Sequence, residues 1–265
     1  MFRKILFPTD FSELSHKGLL WTAANVADGS SEIVLVHVVE PMTGLDTSRM
    51  IQEAEKAMEK TVSELGTTGI KCSSLVLSGD PLETLSETAH SRGCSVSVLF
   101  AESNDVVVNF IRYMAIPHLV VKTSETKVPF QNPFNHVAVC TDLSPERTDR
   151  VLEELRNLLD GRNVPMTIIH SVSLDDPSTS SDMFQIASSA LEEVRESVAS
   201  WNSDVKAEVL AGEPEIEILR KTREMTPGML VVGLSTHGQL WELIIGSTGE
   251  AIIEKSPCPV LVIPT

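Results

Sequence analysis

Gly246-Ser247 precedes the last predicted helix of this 265-residue chain. Free N–H groups and the positive dipole end at a helix start favour an anion. The Ser247 hydroxyl either donates to such an anion or caps the helix, its commonest use there. Asp142 ends the run Val139-Cys140-Thr141-Asp142, and Gly233 ends another apolar run. Together these residues supply a carboxylate acceptor, bare backbone and helix N–H donors. From Gly233 to Thr248 there is no Lys or Arg, and the charged side chains are Glu242 and, when protonated, His237. A multiply charged anion held by backbone donors alone needs a cation as well.

Other chemistries find less support. His37 and His170 have no carboxylate or cysteine at ligand spacing, so both read as strand-end histidines rather than metal ligands. Glu102 and Asp105 read as a solvated loop rather than a catalytic pair. Trp241 shelters a ligand or packs a helical turn. Cys72, Cys94, Cys140 and Cys258 fall in no CxxC spacing and read as small buried hydrophobes. The chain has no G-x4-G-K-[ST], G-x-S-x-G or H-E-x-x-H motif. No catalytic residue and no metal site is expected.

The elements that position these residues occur twice. Phe7-Pro8-Thr9-Asp10-Phe11-Ser12 returns 132 positions later as Val139-Cys140-Thr141-Asp142-Leu143-Ser144. His37 returns as His170, and Gly79-Asp80-Pro81 as Gly212-Glu213-Pro214, both 133 later. Pro117-His118-Leu119-Val120-Val121 matches Pro259-Val260-Leu261-Val262-Ile263 at an offset of 142. The first half is therefore nine residues shorter, between its fourth strand and its last helix.

Strands are predicted over 4–7, 33–38, 73–77, 95–100 and 118–121, then over 136–140, 166–172, 206–211, 230–233 and 260–263. Near-continuous Ile/Leu/Val runs suit parallel strands covered on both faces. Long amphipathic helices are predicted over 48–65 and 182–201. Ser144-Pro145 and Asp80-Pro81-Leu82-Glu83 mark helix starts. Pro129 and Pro133 lie in a linker over 126–134, between domains over 1–125 and 135–265. The expected fold class is α/β: two tandem doubly wound five-stranded parallel sheets. Ligands of such sheets bind at the carboxyl ends of the strands, where strand order reverses.

Composition limits the partners. With 42% apolar residues the chain can bury two cores. A net charge of −16 disfavours nucleic acid and anionic membrane surfaces. Met1-Phe2-Arg3-Lys4 leads straight into a strand, so no signal peptide is expected. No apolar run approaches the roughly 20 residues that span a bilayer. The expected compartment is the cytoplasm.

The opening "ILFPTDFS", the strand-two valines Val38 and Val172, and the ending "GSTGEAIIEKSPCPVLVIP" resemble a tandem universal stress protein. The resemblance implies strand order 3-2-1-4-5 and an adenine nucleotide alpha-hydrolase-like fold. It also implies a phosphate loop patterned G-x2-G-x9-G-[ST]. Carried over, Thr141 and Asp142 fall at the ribose side, Val172 at adenine, and Gly233, Gly246, Ser247 and Thr248 at the phosphates. The outer glycines keep the pattern's spacing of 13, but its middle position holds Thr236, with His237-Gly238 displaced by two.

The implied cofactor is one adenine nucleotide per chain, AMP or ATP, in the second domain. AMP is favoured because the loop lacks basic residues, and Mg²⁺ is expected only with a triphosphate. In the first domain Phe100 stands where Gly233 does, which predicts no nucleotide there.

The apolar last strands, which the family uses for dimerisation, imply an intramolecular pseudo-dimer, then a homodimer and a regulatory protein partner. The readings are a nucleotide-binding stress regulator, a nucleotide-free scaffold, or an enzyme. For the last, the Ser-Gly-Gly loop of ATP-cleaving relatives is replaced by Pro8-Thr9-Asp10-Phe11-Ser12. Slow ATP hydrolysis or self-phosphorylation stays open, although no general base is identifiable.

Overall fold

Alternating apolar runs and capped helices fold this chain into two compact units, residues Met1–Pro129 and Phe130–Thr265, in a computed structural model. The structure describes residues 2–102, 104–122, 132–173, 180–234 and 247–265.

The first unit contains β1 (Lys4–Pro8), α1 (Glu13–Asn25), β2 (Glu32–Val39), α2 (Thr47–Leu65), β3 (Lys71–Ser78), α3 (Pro81–Arg92), β4 (Val96–Ala101), α4 (Asn104–Tyr113) and β5 (His118–Lys122). Its strands lie in the order β3-β2-β1-β4-β5, all parallel. The second unit contains β6 (Val137–Cys140), α5 (Pro145–Leu159), β7 (Met166–Val172), α6 (Ser180–Ala199), β8 (Val205–Ala211), α7 (Pro214–Met225), β9 (Met229–Leu234), α8 (Ser247–Lys255) and β10 (Val260–Pro264). Its order, β8-β7-β6-β9-β10, repeats the first. Each sheet reverses direction between its first and fourth strands, as the 3-2-1-4-5 order requires.

The strand cores are Ile5, Leu6 and Phe7 in β1 and Ile33 through Val36 in β2, with Val137, Ala138 and Val139 in β6 and Ile168 and Ile169 in β7, all essentially without exposure. Burial on both faces explains why these strands read as continuous rather than alternating apolar runs. Fully burying each such side chain contributes about 1.5–3 kcal/mol.

Helix starts follow local chemistry, with one departure. Ser12 accepts from the Ser15 N–H at 3.1 Å, and Asp80 accepts from the Glu83 N–H at 3.0 Å, with Pro81 at the first helical position. Ser144 occupies the expected cap position of α5, but its side chain makes no capping bond. The Ser144 N–H instead donates to Asp142 Oδ1 at 2.9 Å.

The linker also departs in part from expectation. Phe134 is buried, and Gly228 lies so close to the Asn132 and Pro133 carbonyls that a Cβ there would meet them at 2.6 and 2.8 Å. Residues 132–134 are therefore packed into the second unit. The helix that follows the fourth strand also differs: it starts two residues after β4 but twelve residues after β9.

Candidate functional site

Each unit carries a cavity at the carboxyl ends of its central strands, about 570 Å³ in the first and 390 Å³ in the second. The turn after the first strand, built from the repeated Thr-Asp-x-Ser, forms one wall of both.

In the first unit Thr9 Oγ1 accepts from the Phe11 N–H at 3.1 Å and the Ser15 hydroxyl at 2.9 Å, and Asp10 Oδ1 accepts from the Ser12 N–H at 2.9 Å. These bonds hold Phe11 at φ 61°, a left-handed conformation unusual for a bulky residue. In the second unit Thr141 Oγ1 accepts from the Leu143 N–H at 3.0 Å and meets the Thr148 hydroxyl at 2.7 Å, while Leu143 sits at φ 60°.

The strand-two histidines fasten the same turn. His37 Nδ1 donates to the Thr9 carbonyl at 2.7 Å, and His170 Nδ1 to the Thr141 carbonyl at 2.9 Å. A carbonyl only accepts, so the proton sits on Nδ1 in both rings. Among the described residues, no three His, Cys, Asp or Glu gather as a metal-binding group.

The two cavities then diverge. Arg147, in the first turn of α5, lines the second cavity and pairs its guanidinium with Asp142 Oδ2. Both side chains are about half exposed (51% and 53%), so the pair adds little stability, about 0–1 kcal/mol. It does place a cation beside the cavity. Sequence reading looked for that cation only between Gly233 and Thr248. The repeat held the missed signal, since the offset of 133 that relates His37 to His170 sets Arg147 against Leu14.

Gly233 lines the second cavity, yet its bare Cα serves packing: a Cβ would stand 2.6 Å from Val151 Cγ2. The first unit exchanges the sizes. A Cβ on Gly18, the counterpart of Val151, would stand 2.5 Å from the Phe100 ring. That ring lies edge-on to Trp21 at 5.5 Å and 6.3 Å from Phe7. Phe100 is thus seated against α1 and leaves a cavity open, where sequence reading took it as an obstacle to ligand approach.

Thr141, Asp142 and Gly233 all line the second cavity. Val172 is buried and is not among the lining residues. Ser171 lines the cavity instead, its hydroxyl donating to the Gly212 carbonyl at 2.9 Å. Neighbouring strand residues point to opposite faces, and the 133 offset pairs Val38 with Ser171. Ser247 and Thr248 open α8, while Gly249 and Ile252 from that helix line the cavity. At the same offset from the last strand, the first unit places Val107 and Phe110. Gly246, His237 and Gly238, also expected at the nucleotide, lie outside the described residues.

Cys140 also lines the second cavity, but burial and the neighbouring Cys258 push its thiol up to about 12. Burial likewise raises Cys258 to about 11. Neither supplies a thiolate nucleophile at neutral pH.

A sequence model of the universal stress protein family matches residues 1–103 and 133–264. Universal stress protein MJ0577 of Methanocaldococcus jannaschii is 26% identical over 155 residues, 46% of this chain and 96% of its own. Universal stress protein MJ0531 of the same organism is 30% identical over 74 residues, 28% of this chain and 44% of its own. The crystal structure of a universal stress protein from Archaeoglobus fulgidus DSM 4304 matches with a TM-score of 0.72 at 22% identity, over 98% of this chain and 96% of that one. The two matched segments fall one in each unit and take in most of the first and nearly all of the second, so the chain belongs to the universal stress protein family, with the family domain present twice.

Proposed function

We propose that this protein is a stress-response regulator that binds one adenine nucleotide, AMP in preference to ATP, in its second unit. The observation that carries the reading is the second cavity itself. It lies at the strand-order reversal and joins Asp142, the start of α8 and a cation, Arg147, in one 390 Å³ space. An apolar wall of Ile168, Val232 and Ile252 suits a purine ring. Asp142 is a hydroxyl acceptor of the kind a ribose needs. Gly249 near the start of α8 leaves its backbone bare, where Val107 covers α4.

AMP is preferred on charge. One guanidinium and one helix N-terminus match a monophosphate carrying about two charges, whereas a triphosphate needs a metal ion besides. The role is binding rather than turnover, because Cys140 is held as a thiol and His170 Nδ1 is engaged by a backbone carbonyl. Titration of the whole chain with AMP, ADP and ATP, without and with Mg²⁺, tests the preference. Tighter ATP than AMP binding in the absence of metal defeats it.

The Asp142–Arg147 pair also favours a second reading, a nucleotide-free scaffold acting through protein partners. There the two charges satisfy each other and the cavity stays without ligand. Stoichiometric nucleotide in protein purified natively, one per chain, supports the first reading. Its absence, with no thermal shift on adding AMP, supports the second. The apolar sequences of the last strands, Leu119-Val120-Val121 and Leu261-Val262-Ile263, carry the expectation of an intramolecular pseudo-dimer. Val120→Pro tests it by small-angle scattering, and an unchanged radius of gyration counts against it.

A further inference from the structure

The first unit's cavity is larger than the second and carries two carboxylates, Asp10 and Glu102, where Asp142 and Arg147 offset each other in the second. Its polar lining among the described residues comprises Thr9, Asp10, Ser12, Ser15, His37 and Glu102, with no Lys or Arg. Much of that polarity is already used. Thr9 Oγ1 accepts from Phe11 and Ser15, and the Ser12 hydroxyl accepts from the Ser15 N–H. What remains are acceptors: Asp10 Oδ2, the Glu102 carboxylate and, in the neutral ring, His37 Nε2. No described Lys or Arg forms an ion pair with Asp10 or Glu102. Lys122 donates to the Glu102 backbone carbonyl at 2.9 Å and is not among the lining residues.

The second unit shows what the outer oxygen of this aspartate holds. The two aspartates make the same bond to the turn through Oδ1, and Asp142 Oδ2 pairs with the Arg147 guanidinium. In the first unit Leu14 replaces that arginine and itself lines the cavity. Asp10 therefore lines a cavity without the cation that stands beside Asp142. The remaining walls, Val38, Leu85, Leu99, Phe100, Val107 and Phe110, are apolar and partly aromatic.

We propose that the first unit's cavity is a binding site for a small organic cation, an amine carried on an apolar ring body. Its ammonium takes the place on Asp10 that Arg147 holds on Asp142. Its ring packs on Leu85, Phe100 and Phe110, where aromatic faces also favour a cation. A phosphate-bearing ligand is excluded by the same acceptors, so the two units of one chain select ligands of opposite charge.

The test uses the full chain and three indole probes of one shape: tryptamine, tryptophol and indole-3-propionate. Affinity is read by calorimetry, and location by amide shifts over residues 9–15 and 99–111. Tryptamine is expected to bind about tenfold or more tighter than the neutral alcohol, and the carboxylate more weakly still. Asp10→Asn keeps the turn, since the amide oxygen still accepts from the Ser12 N–H. It is expected to remove that tenfold preference. Leu14→Arg, which puts an arginine at the cavity-lining place that the 133 offset sets against Arg147, is expected to do the same by filling the Asp10 oxygen. AMP binding by the second unit is expected to persist in both variants, which separates failure here from failure of the nucleotide reading. Absence of tryptamine binding, equal binding of tryptamine and tryptophol, or an unchanged preference in Asp10→Asn overturns the proposal.

Discussion

Thr9-Asp10-Phe11-Ser12 and Thr141-Asp142-Leu143-Ser144 form the same turn, with the same left-handed third residue and the same histidine fastening it from the second strand. Beyond the turns the helices differ: Leu14 lines the cavity from the first turn of one, Arg147 from the first turn of the other. The fourth strands differ as well, with Phe100 against Gly18 in the first unit and Gly233 beneath Val151 in the second. What forms the turn is local hydrogen bonding, which tolerates any neighbour. What decides charge and shape is a handful of side chains converging from other elements, and these are free to change. Duplication thus kept the scaffold of the site and altered its contents.

The size exchange offers the largest effect. Phe100→Gly removes a ring packed on Trp21 and Phe7 and is expected to destabilise the first unit by about 3–5 kcal/mol. Gly18→Val, made alone, drives a Cβ into that ring and is expected to cost about 1–3 kcal/mol. The double variant recreates the second unit's combination, so its cost is expected to fall short of the sum by about 1 kcal/mol or more. Urea unfolding followed by unit-resolved hydrogen exchange reads all three, and strict additivity breaks the comparison.

Acid offers the next. His118 is wholly buried, with Nε2 donating to the Met114 carbonyl at 3.1 Å and Nδ1 accepting from the Ser97 hydroxyl at 2.6 Å. Burial lowers its pKa to about 4 from an ordinary 6.5, although the Met114 bond opposes the shift. The folded state thus resists a proton that the unfolded state accepts. Its stabilisation is complete above pH 6.5 and is lost as pH falls from 6.5 towards 4, a change of about 3 kcal/mol. The second unit has Leu230 and Val260 at these places and lacks this contribution. Unit-resolved unfolding between pH 7 and 4 is expected to show the first unit losing more. His118→Val with Ser97→Leu is expected to remove the excess, and equal losses in both units with the wild-type pair present sink the assignment.

Arg147→Leu sharpens the comparison at the ligand site. It gives the second cavity the first one's residue and is expected to weaken AMP binding about tenfold while leaving adenosine affinity unchanged. An equal loss for both ligands would mean that Arg147 acts through packing and not through the phosphate.

The smallest effect concerns a helix end. Gly93 closes α3 at φ 63°, and its counterpart Thr226 closes α7 at φ 47°. A β-branched residue in the left-handed region is strained, so Thr226→Gly is expected to stabilise the second unit by up to about 1 kcal/mol. A lower melting temperature contradicts it.

The sequence by itself determined the repeat, the ten strands and their parallel, doubly wound class, while the 3-2-1-4-5 order came with the family resemblance. The repeat, strands and class follow from contiguous signals: apolar runs long enough for covered strands, prolines and acceptors at helix starts, and offsets of 132 and 133 that shift to 142 at the last strand. It also placed Thr141, Asp142 and Gly233 at one end of the sheet. Only the tertiary structure decided what surrounds them. Ser171 rather than Val172 faces the cavity because strand residues alternate, and one position of register changes the face. Gly18 and Phe100 lie 82 positions apart, so neither residue announces the other's size. Arg147 reaches the site from the first turn of a different helix, where sequence shows merely an exposed arginine. Propensity and periodicity are properties of neighbours along the chain, whereas charge and shape at a cavity are summed over residues that only folding brings together.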